Sequence, residues 1–349
     1  MPEVGIVWPR SGDVRNALQP LLDAGEVRAL QLTVEHAFRG ELGPGFTEPL
    51  DRAAAAGLLV GHAVYGSPYT TPRDRMTVDW LARTRRVLER WPVRWLTDHV
   101  GCCRVPGWNA APVPLPGSRA LVATVRAHLD WVGSELGVPV GLENLALAVS
   151  RDDVLLQPDL VDAMLRPSGG VLLLDLHNLW CQAVNFDLDP VALLERWPLD
   201  LVRQVHVAGG SWMDHPAGRF RRDTHDGAVP DAVFALVPEA VARCPALEVI
   251  VLERLRGTVE DPDDLRAEVH RLKDAVASVP EARDRDPGHE VGPAAWRTED
   301  PSVQDGLFAA LRGNDRTAAE RLAPGWWQDD RAWAVGRDIL ERWGHPVPT

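Results

Sequence analysis

Short apolar runs alternate along the chain with longer stretches in which apolar residues recur at helical spacing. The runs fall at Val4–Trp8, Val27–Glu35, Leu58–Val64, Val93–Val100, Val138–Leu145, Gly170–Leu176, Val202–Ala208 and Leu247–Glu253. Such runs, bounded by turn residues or by a change of period, read as buried strands. Between them helices are predicted at Asp13–Leu22, through the alanines near Ala53, and at Thr77–Trp91, Ser118–Leu136, 190–197, Pro230–Ala242 and Asp261–Ala277. Pro262 falls in a first helical turn, where its missing N–H costs nothing. Val105–Pro116 reads as a proline-rich loop. Strands that alternate with helices imply a parallel sheet. Eight such units predict an α/β fold, a closed (β/α)8 TIM barrel of the xylose-isomerase-like kind, with its chemistry at the C-terminal strand ends.

The pattern changes near residue 281. Residues 1–280 are assigned to the barrel, and the charged, Pro- and Gly-containing stretch 281–294 to a linker. Residues 295–349 read as a small helical C-terminal appendage. There Asp300-Pro301 suggests a helix start, Gly313 a stop, and further helices are predicted at Arg316–Leu322 and Asp329–Trp343. Trp296, Trp326, Trp327, Trp333 and Trp343 make this segment hold five of the chain's 14 tryptophans. They either recognise a peptide or partner or fasten the segment to the barrel helices.

Composition narrows the class. A chain of 349 residues, 45% hydrophobic, can bury a large core. A net charge of −13 argues against duplex nucleic acid as the main partner. No apolar run approaches the roughly 20 residues that span a bilayer. The opening MPEVGIVWPR lacks the regions of a signal peptide. Four cysteines form no disulfide framework and suit a reducing cytoplasm. Cys102 and Cys103 read as small buried hydrophobes.

The strand ends carry the chemistry. They place Glu35-His36, His62, His99, Glu143-Asn144, Asp175 with His177-Asn178, His206, then Asp223 and His225, and finally Glu253 at one rim. Asp223 and His225 form an Asp-x-His step, which in an extended segment turns both side chains to one face. The set His62, His99, Glu143, Asp175, His206, Asp223, His225 and Glu253 is too large for one metal, which takes three or four protein ligands. Two or three carboxylate-bridged metals would use it. Without cations the gathered carboxylates would hold one another partly protonated. Asn144 and Asn178 read as donors behind the ligands, and His36 as a rim hydrogen-bonding group. His128 reads as a solvent-facing helix residue, and His215, His270, His289 and His345 as incidental.

The ordered set resembles the multinuclear non-haem iron-dependent oxidative enzymes, the family of the methanobactin-biosynthesis B component, over roughly residues 3–275. The blocks that carry it are VEHAFRG (34–40), GHAVYGSP (61–68), TDHVGC (97–102), GLENLA (141–146), LLLDLHNLWCQAVNFDLDP (172–190), VRQVHVAGG (202–210), DTHDGAVPD (223–231) and VLER (251–254). The resemblance implies a barrel with two or three irons of mixed Fe(II)/Fe(III) valence, and dioxygen as co-substrate. It makes the eight rim residues metal ligands. It also implies oxidative modification of a ribosomally made precursor peptide, often at a Cys or near the C-terminus, with a partner protein or the chain's own C-terminal segment delivering the peptide. His177 stands where the family commonly has Asn, so it is a further candidate ligand. The opening VGIVWPR and Glu35-His36-Ala37 also depart from the family pattern, on the substrate-facing side. The endonuclease IV type of trinuclear zinc barrel strings similar ligands along its strands; LDLHN in place of its Asp-x-x-His step and the acidic balance argue against it. A third reading, a metal-bound scaffold without catalysis, requires a closed coordination shell.

Overall fold

A computed structural model describes residues 1–38, 42–69, 75–105, 108–254, 262–279 and 303–346. Eight parallel strands close into a barrel in sequence order: β1 Glu3–Val7, β2 Ala29–Thr33, β3 Leu59–His62, β4 Leu96–His99, β5 Val140–Glu143, β6 Val171–Asp175, β7 Val202–Ala208 and β8 Val249–Glu253. The last pairs with the first, Val4 against Ile250 and Ile6 against Leu252. The (β/α)8 fold expected from the alternation is the fold observed. Six of its strands end one or two residues before the apolar runs do, and the last two end where the runs Val202–Ala208 and Leu247–Glu253 end.

Register decides which side chains meet. Pairing sets His99 of β4 opposite Glu143 of β5, and Asp175 of β6 opposite His206 of β7. Alternation along a strand puts residues two apart on one face. Below the rim, Val60, Trp95, Val171 and Val251 therefore fill the barrel with small and large apolar groups. Between that plug and the rim lies a buried polar layer. The Trp95 indole N–H donates to Gln204 Oε1 at 2.8 Å, and the Gln204 amide donates to Gln31. Gly141 sits where a Cβ would strike the Val171 carbonyl, so β5 and β6 can pair this closely only with glycine there.

Several elements differ from the sequence reading. Helix Arg151–Leu165 is regular despite Pro158, and helix Leu176–Asn185 starts directly at the end of β6, capped by the Asp175 carboxylate accepting from the Asn178 N–H at 2.6 Å. Pro230–Ala242 is two short helices, Asp231–Phe234 and Leu236–Arg243. The proline-rich stretch after β4 is a hairpin, Cys102–Val105 with Trp108–Val113, and His345–Pro346 adds a third antiparallel strand to it. The polar stretch after β7 is also a hairpin, Ser211–Met213 with Phe220–Arg222. Both excursions are built of strands too short to show a period, one of them carrying Pro112, and both sit at the site end of the barrel.

The expected linker 281–294 and Trp296 lie outside the described residues, as does the Asp300-Pro301 start. Beyond them come helices Val303–Gly313, Arg316–Leu322 and Asp330–Trp343. Asp315 and Asp329 cap the second and third by accepting from Ala318 and Ala332 N–H groups at 2.8 and 3.2 Å. Trp326, Trp327 and Trp333 are buried among these helices, the last two edge to face with centroids 5.4 Å apart. The helices are fastened to the barrel by ion pairing of Arg222 with Asp338 and by the Arg331 guanidinium donating to the Asn185 carbonyl at 3.1 Å. No helix among the described residues is long and apolar enough to cross a membrane.

Candidate metal centre

Glu143 is the hub of the rim. One of its oxygens lies 3.3 Å from His62 Nε2 and 3.5 Å from His99 Nε2. The other lies 3.4 Å from His206 Nδ1, which is also 3.7 Å from Asp175 and 3.2 Å from Glu253. Two triads therefore share Glu143: His62/His99/Glu143 and Glu143/Asp175/His206, with ligand atoms in each within 4.8 Å of one another. Glu253 continues the chain of contacts to His225 Nδ1 at 3.6 Å, and His225 Nε2 reaches Asp223 at 2.7 Å. All eight residues of the predicted set are thus brought together, Asp223 joining through His225.

Each central histidine is held from behind. His62 Nδ1 meets the Thr97 hydroxyl at 3.0 Å, and His206 Nε2 meets Gln31 Oε1 at 2.6 Å. His99 Nδ1 stands 3.5 Å from Asp98. In each ring one nitrogen is thus occupied or faced by protein while the other is aimed at Glu143, the arrangement that orients metal-binding imidazoles. Asp98, Thr97, Gln31 and Gln204 were not singled out in the sequence. The period-2 pattern of β2, β4 and β7 contained Gln31, Thr97 and Gln204, since each lies two residues below a rim position. Asp98 has no such mark, because it leaves the strand alternation at the rim.

The metal-ligand chemistry fits this set on a direct observation. Glu143 Oε2, Asp175 Oδ2, His206 Nδ1 and His225 Nδ1 are buried donor or acceptor atoms with no hydrogen-bond partner. Buried polar atoms are rarely left so, and four of them converge on one space. Protons alone distribute the charge awkwardly. Burial, with Asp223 and Glu143 adding to it, pushes Asp175 up to about 8. Against burial, Glu143 and Asp98 push His99 up to about 9, and Asp223 and Glu253 push His225 up to about 10. Burial takes His62 the other way, down to about 3, with Glu143 opposing. Protons on some histidines thus stand in for positive charge that cations would supply.

The other predicted residues have definite places. Asn144 clamps the end of β6, accepting from the Asp175 N–H at 2.6 Å and donating to the Asp175 carbonyl at 3.0 Å. Asn178 donates to the Asn144 carbonyl at 2.9 Å. Glu35 accepts from the Val64 and Tyr65 N–H groups at 3.0 Å and from the Trp80 indole at 2.9 Å, so it shapes the loop after β3. His36 lines the cavity above the cluster. His177 contacts Asp223 through Nδ1 at 3.0 Å, but its Nε2 faces the Arg221 guanidinium at 3.3 Å. The Asp-x-His segment is not extended as expected: His225 has a left-handed φ of 52°. The turn still brings Asp223 and His225 together. Cys102 and Cys103 are fully buried, and burial pushes the Cys103 thiol upward, consistent with a packing role.

A cavity of about 960 Å³ opens onto the cluster, reaching His62, His99, Glu143, His225 and Glu253. Its outer walls include helix Arg75–Arg90 on one side and Val335, Asp338 and Ile339 of the last helix on another. Residues 30–277 match the family described as RiPP precursor modification enzyme MbnB/TglH/ChrH. The chain belongs to this family, one of multinuclear non-haem iron-dependent oxidative enzymes. Among curated relatives, a UPF0276 protein of Caulobacter vibrioides is 32% identical over 199 residues, 56% of this chain and 69% of that protein. A UPF0276 protein of Pseudomonas aeruginosa is 28% identical over 281 residues, 79% of this chain and 94% of that protein. Among solved structures, the xylose isomerase domain protein of Planctomyces limnophilus superposes with TM-score 0.53 at 15% identity, covering 80% of this chain and 98% of that one. Endonuclease IV of Thermus thermophilus gives 0.52 at 18%, covering 78% and 100%. At such identities these two establish the barrel fold alone. Family membership makes the chain a member of an enzyme family that modifies precursor peptides. The last helices lie outside the matched residues.

Proposed function

We propose that the chain oxidatively modifies a ribosomally made precursor peptide, using two or three non-haem irons of mixed Fe(II)/Fe(III) valence and dioxygen. The observation that carries this reading is Glu143, met on one oxygen by His62 and His99 and on the other by His206, a bridging arrangement of nitrogen and oxygen donors. His62, His99, Glu143, Asp175, His206, Asp223, His225 and Glu253 would hold the metals. Such donors accept iron and zinc alike; the family membership favours iron. We assign His177 to orienting Asp223 rather than to ligation, because a cation at its Nε2 would meet the Arg221 guanidinium.

Bound irons would supply dioxygen activation and an anchor for a substrate side chain. The protein's own residues do the rest. Thr97, Gln31 and Asp98 fix the imidazoles, and Asn144 and Asn178 fix the Asp175 turn. The cavity admits a peptide segment to the cluster, which is what a catalytic centre needs and a closed structural one lacks. The last helix forms part of that cavity's wall, so we assign the C-terminal segment a share in peptide binding, alone or with a delivering partner protein. The test is anaerobic reconstitution with ferrous iron, addition of oxygen and a precursor peptide, and mass analysis of the product. A mass change that requires both iron and oxygen supports the proposal. Equal turnover with zinc and no oxygen rejects it in favour of hydrolysis.

A further inference from the structure

The chain carries a net charge of −13, yet the cavity above the cluster is lined by six arginines: Arg83, Arg86, Arg104, Arg221, Arg222 and Arg254. Two of them already face carboxylates, Arg222 with Asp338 and Arg254 with Glu268. Arg83 and Arg86 do not: neither has an ion-pair partner among the described residues. They sit three residues apart on helix Arg75–Arg90, which places them on one helix face. Met76 and Trp80 of the same face line the cavity below them, and the Arg83 guanidinium lies 5.7 Å from the Phe38 ring centroid. Asp79 lines the cavity from the same face but lies 3.9 Å from Arg75, so Arg83 and Arg86 remain as two exposed cations above an apolar wall that leads from solvent to the cluster.

We propose that the peptide segment entering the cavity is anionic, and that Arg83 and Arg86 hold its Asp, Glu or C-terminal carboxylates at the mouth. This deepens the proposed function, since it takes the peptide substrate from that reading. The charge logic is local. An acidic chain repels an acidic peptide at long range, so positive charge is needed where the peptide must enter, and arginine pairs with carboxylates in fork geometry. A phosphate backbone fits the same guanidinium chemistry less well here. Duplex binding requires a broad basic surface, whereas this patch is two residues wide on an acidic protein. The outer mouth is a separate device from the ligand set, so its variants leave the metals in place.

The test reads binding without turnover, and so stands apart from the iron and oxygen chemistry. Purified protein with its metal retained is titrated into rhodamine-labelled hexaglutamate, hexaglutamine and hexalysine peptides, and into a labelled DNA duplex, by fluorescence anisotropy. Hexaglutamate is expected to bind best, and more weakly as salt rises. Arg83→Glu/Arg86→Glu is expected to lower its affinity about tenfold or more, to improve hexalysine binding, and to leave metal content unchanged. The two side chains are exposed, so the fold is kept. Equal binding of the three peptides, or no effect of the double reversal, would overturn the proposal. Tighter binding of the duplex, lost on the same reversal, would overturn it in favour of a nucleic-acid substrate.

Discussion

The ligand cluster and the C-terminal helices meet in one cavity but are held there by different means. The cluster is fixed by strand register: His99 opposes Glu143 and Asp175 opposes His206 because their backbones are paired. The last helix is fixed by side chains, chiefly the Arg222–Asp338 pair and Arg331 on the Asn185 carbonyl, and by the two-residue strand His345–Pro346 that follows it, paired with the hairpin outside the barrel. A register shift would disturb every strand, whereas a side-chain anchor can be cut singly. The candidate ligands thus sit on the stiff part of the molecule and the last helix on contacts that can be cut one at a time, outside the family-matched residues.

That contrast can be broken at several points. The largest effect is expected on the cluster side. His225→Ala should lose metal occupancy while circular dichroism stays that of the folded barrel, and should lower peptide modification by more than about a hundredfold, beyond the usual cost of a residue behind a ligand. Unchanged stoichiometry would remove His225 from the ligand set. On the other side, truncation after Arg283 should leave the metal bound and weaken peptide affinity about tenfold, because the cavity loses one wall. A truncated protein that binds and modifies the peptide normally would make the C-terminal helices purely structural.

Two smaller effects sharpen the contrast. Asp175 and His99 have folded-state values raised to about 8 and about 9 by their neighbours and burial. A raised group stabilises below its unfolded value and loses that contribution as pH climbs through its folded value. The chelated protein should therefore melt several degrees lower at pH 9 than at pH 7, while metal-loaded protein changes less. Calorimetry that finds parallel profiles for both forms would disconnect these groups from the metal. Asp338→Asn should raise KM for the peptide two- to fivefold with kcat and metal content retained, since a partly exposed pair is worth at most about 1 kcal/mol. A loss of metal instead would tie the last helix to the cluster itself.

The sequence made the cluster legible for the same reason the fold keeps it rigid. His62, Glu143, Asp175, His206 and Glu253 each lie at or within two residues of the end of an apolar run, so period and strand count already place them at one rim. Residues off that period were harder to read. Asp98 leaves the alternation as β4 ends. Arg221 and Arg222 lie in a three-residue strand too short to show a pattern, and Trp108–Val113 was masked by Pro112 and the prolines that flank it. The role of Val335, Asp338 and Ile339 depends on where a helix docks, which no local pattern encodes. Of the tryptophans that drew attention to the C-terminal segment, Trp326, Trp327 and Trp333 are buried in it, and the cavity is met by their less conspicuous neighbours.

The central claim is that Glu143 joins two metal positions. Elemental analysis of anaerobically purified Glu143→Gln beside the parent protein tests it most directly, with circular dichroism of the same samples as the check on folding. The amide keeps the shape but removes the bridging charge. The account predicts two or three irons per chain in the parent and at most one in the folded variant. A folded variant with the parent's full metal content would contradict it.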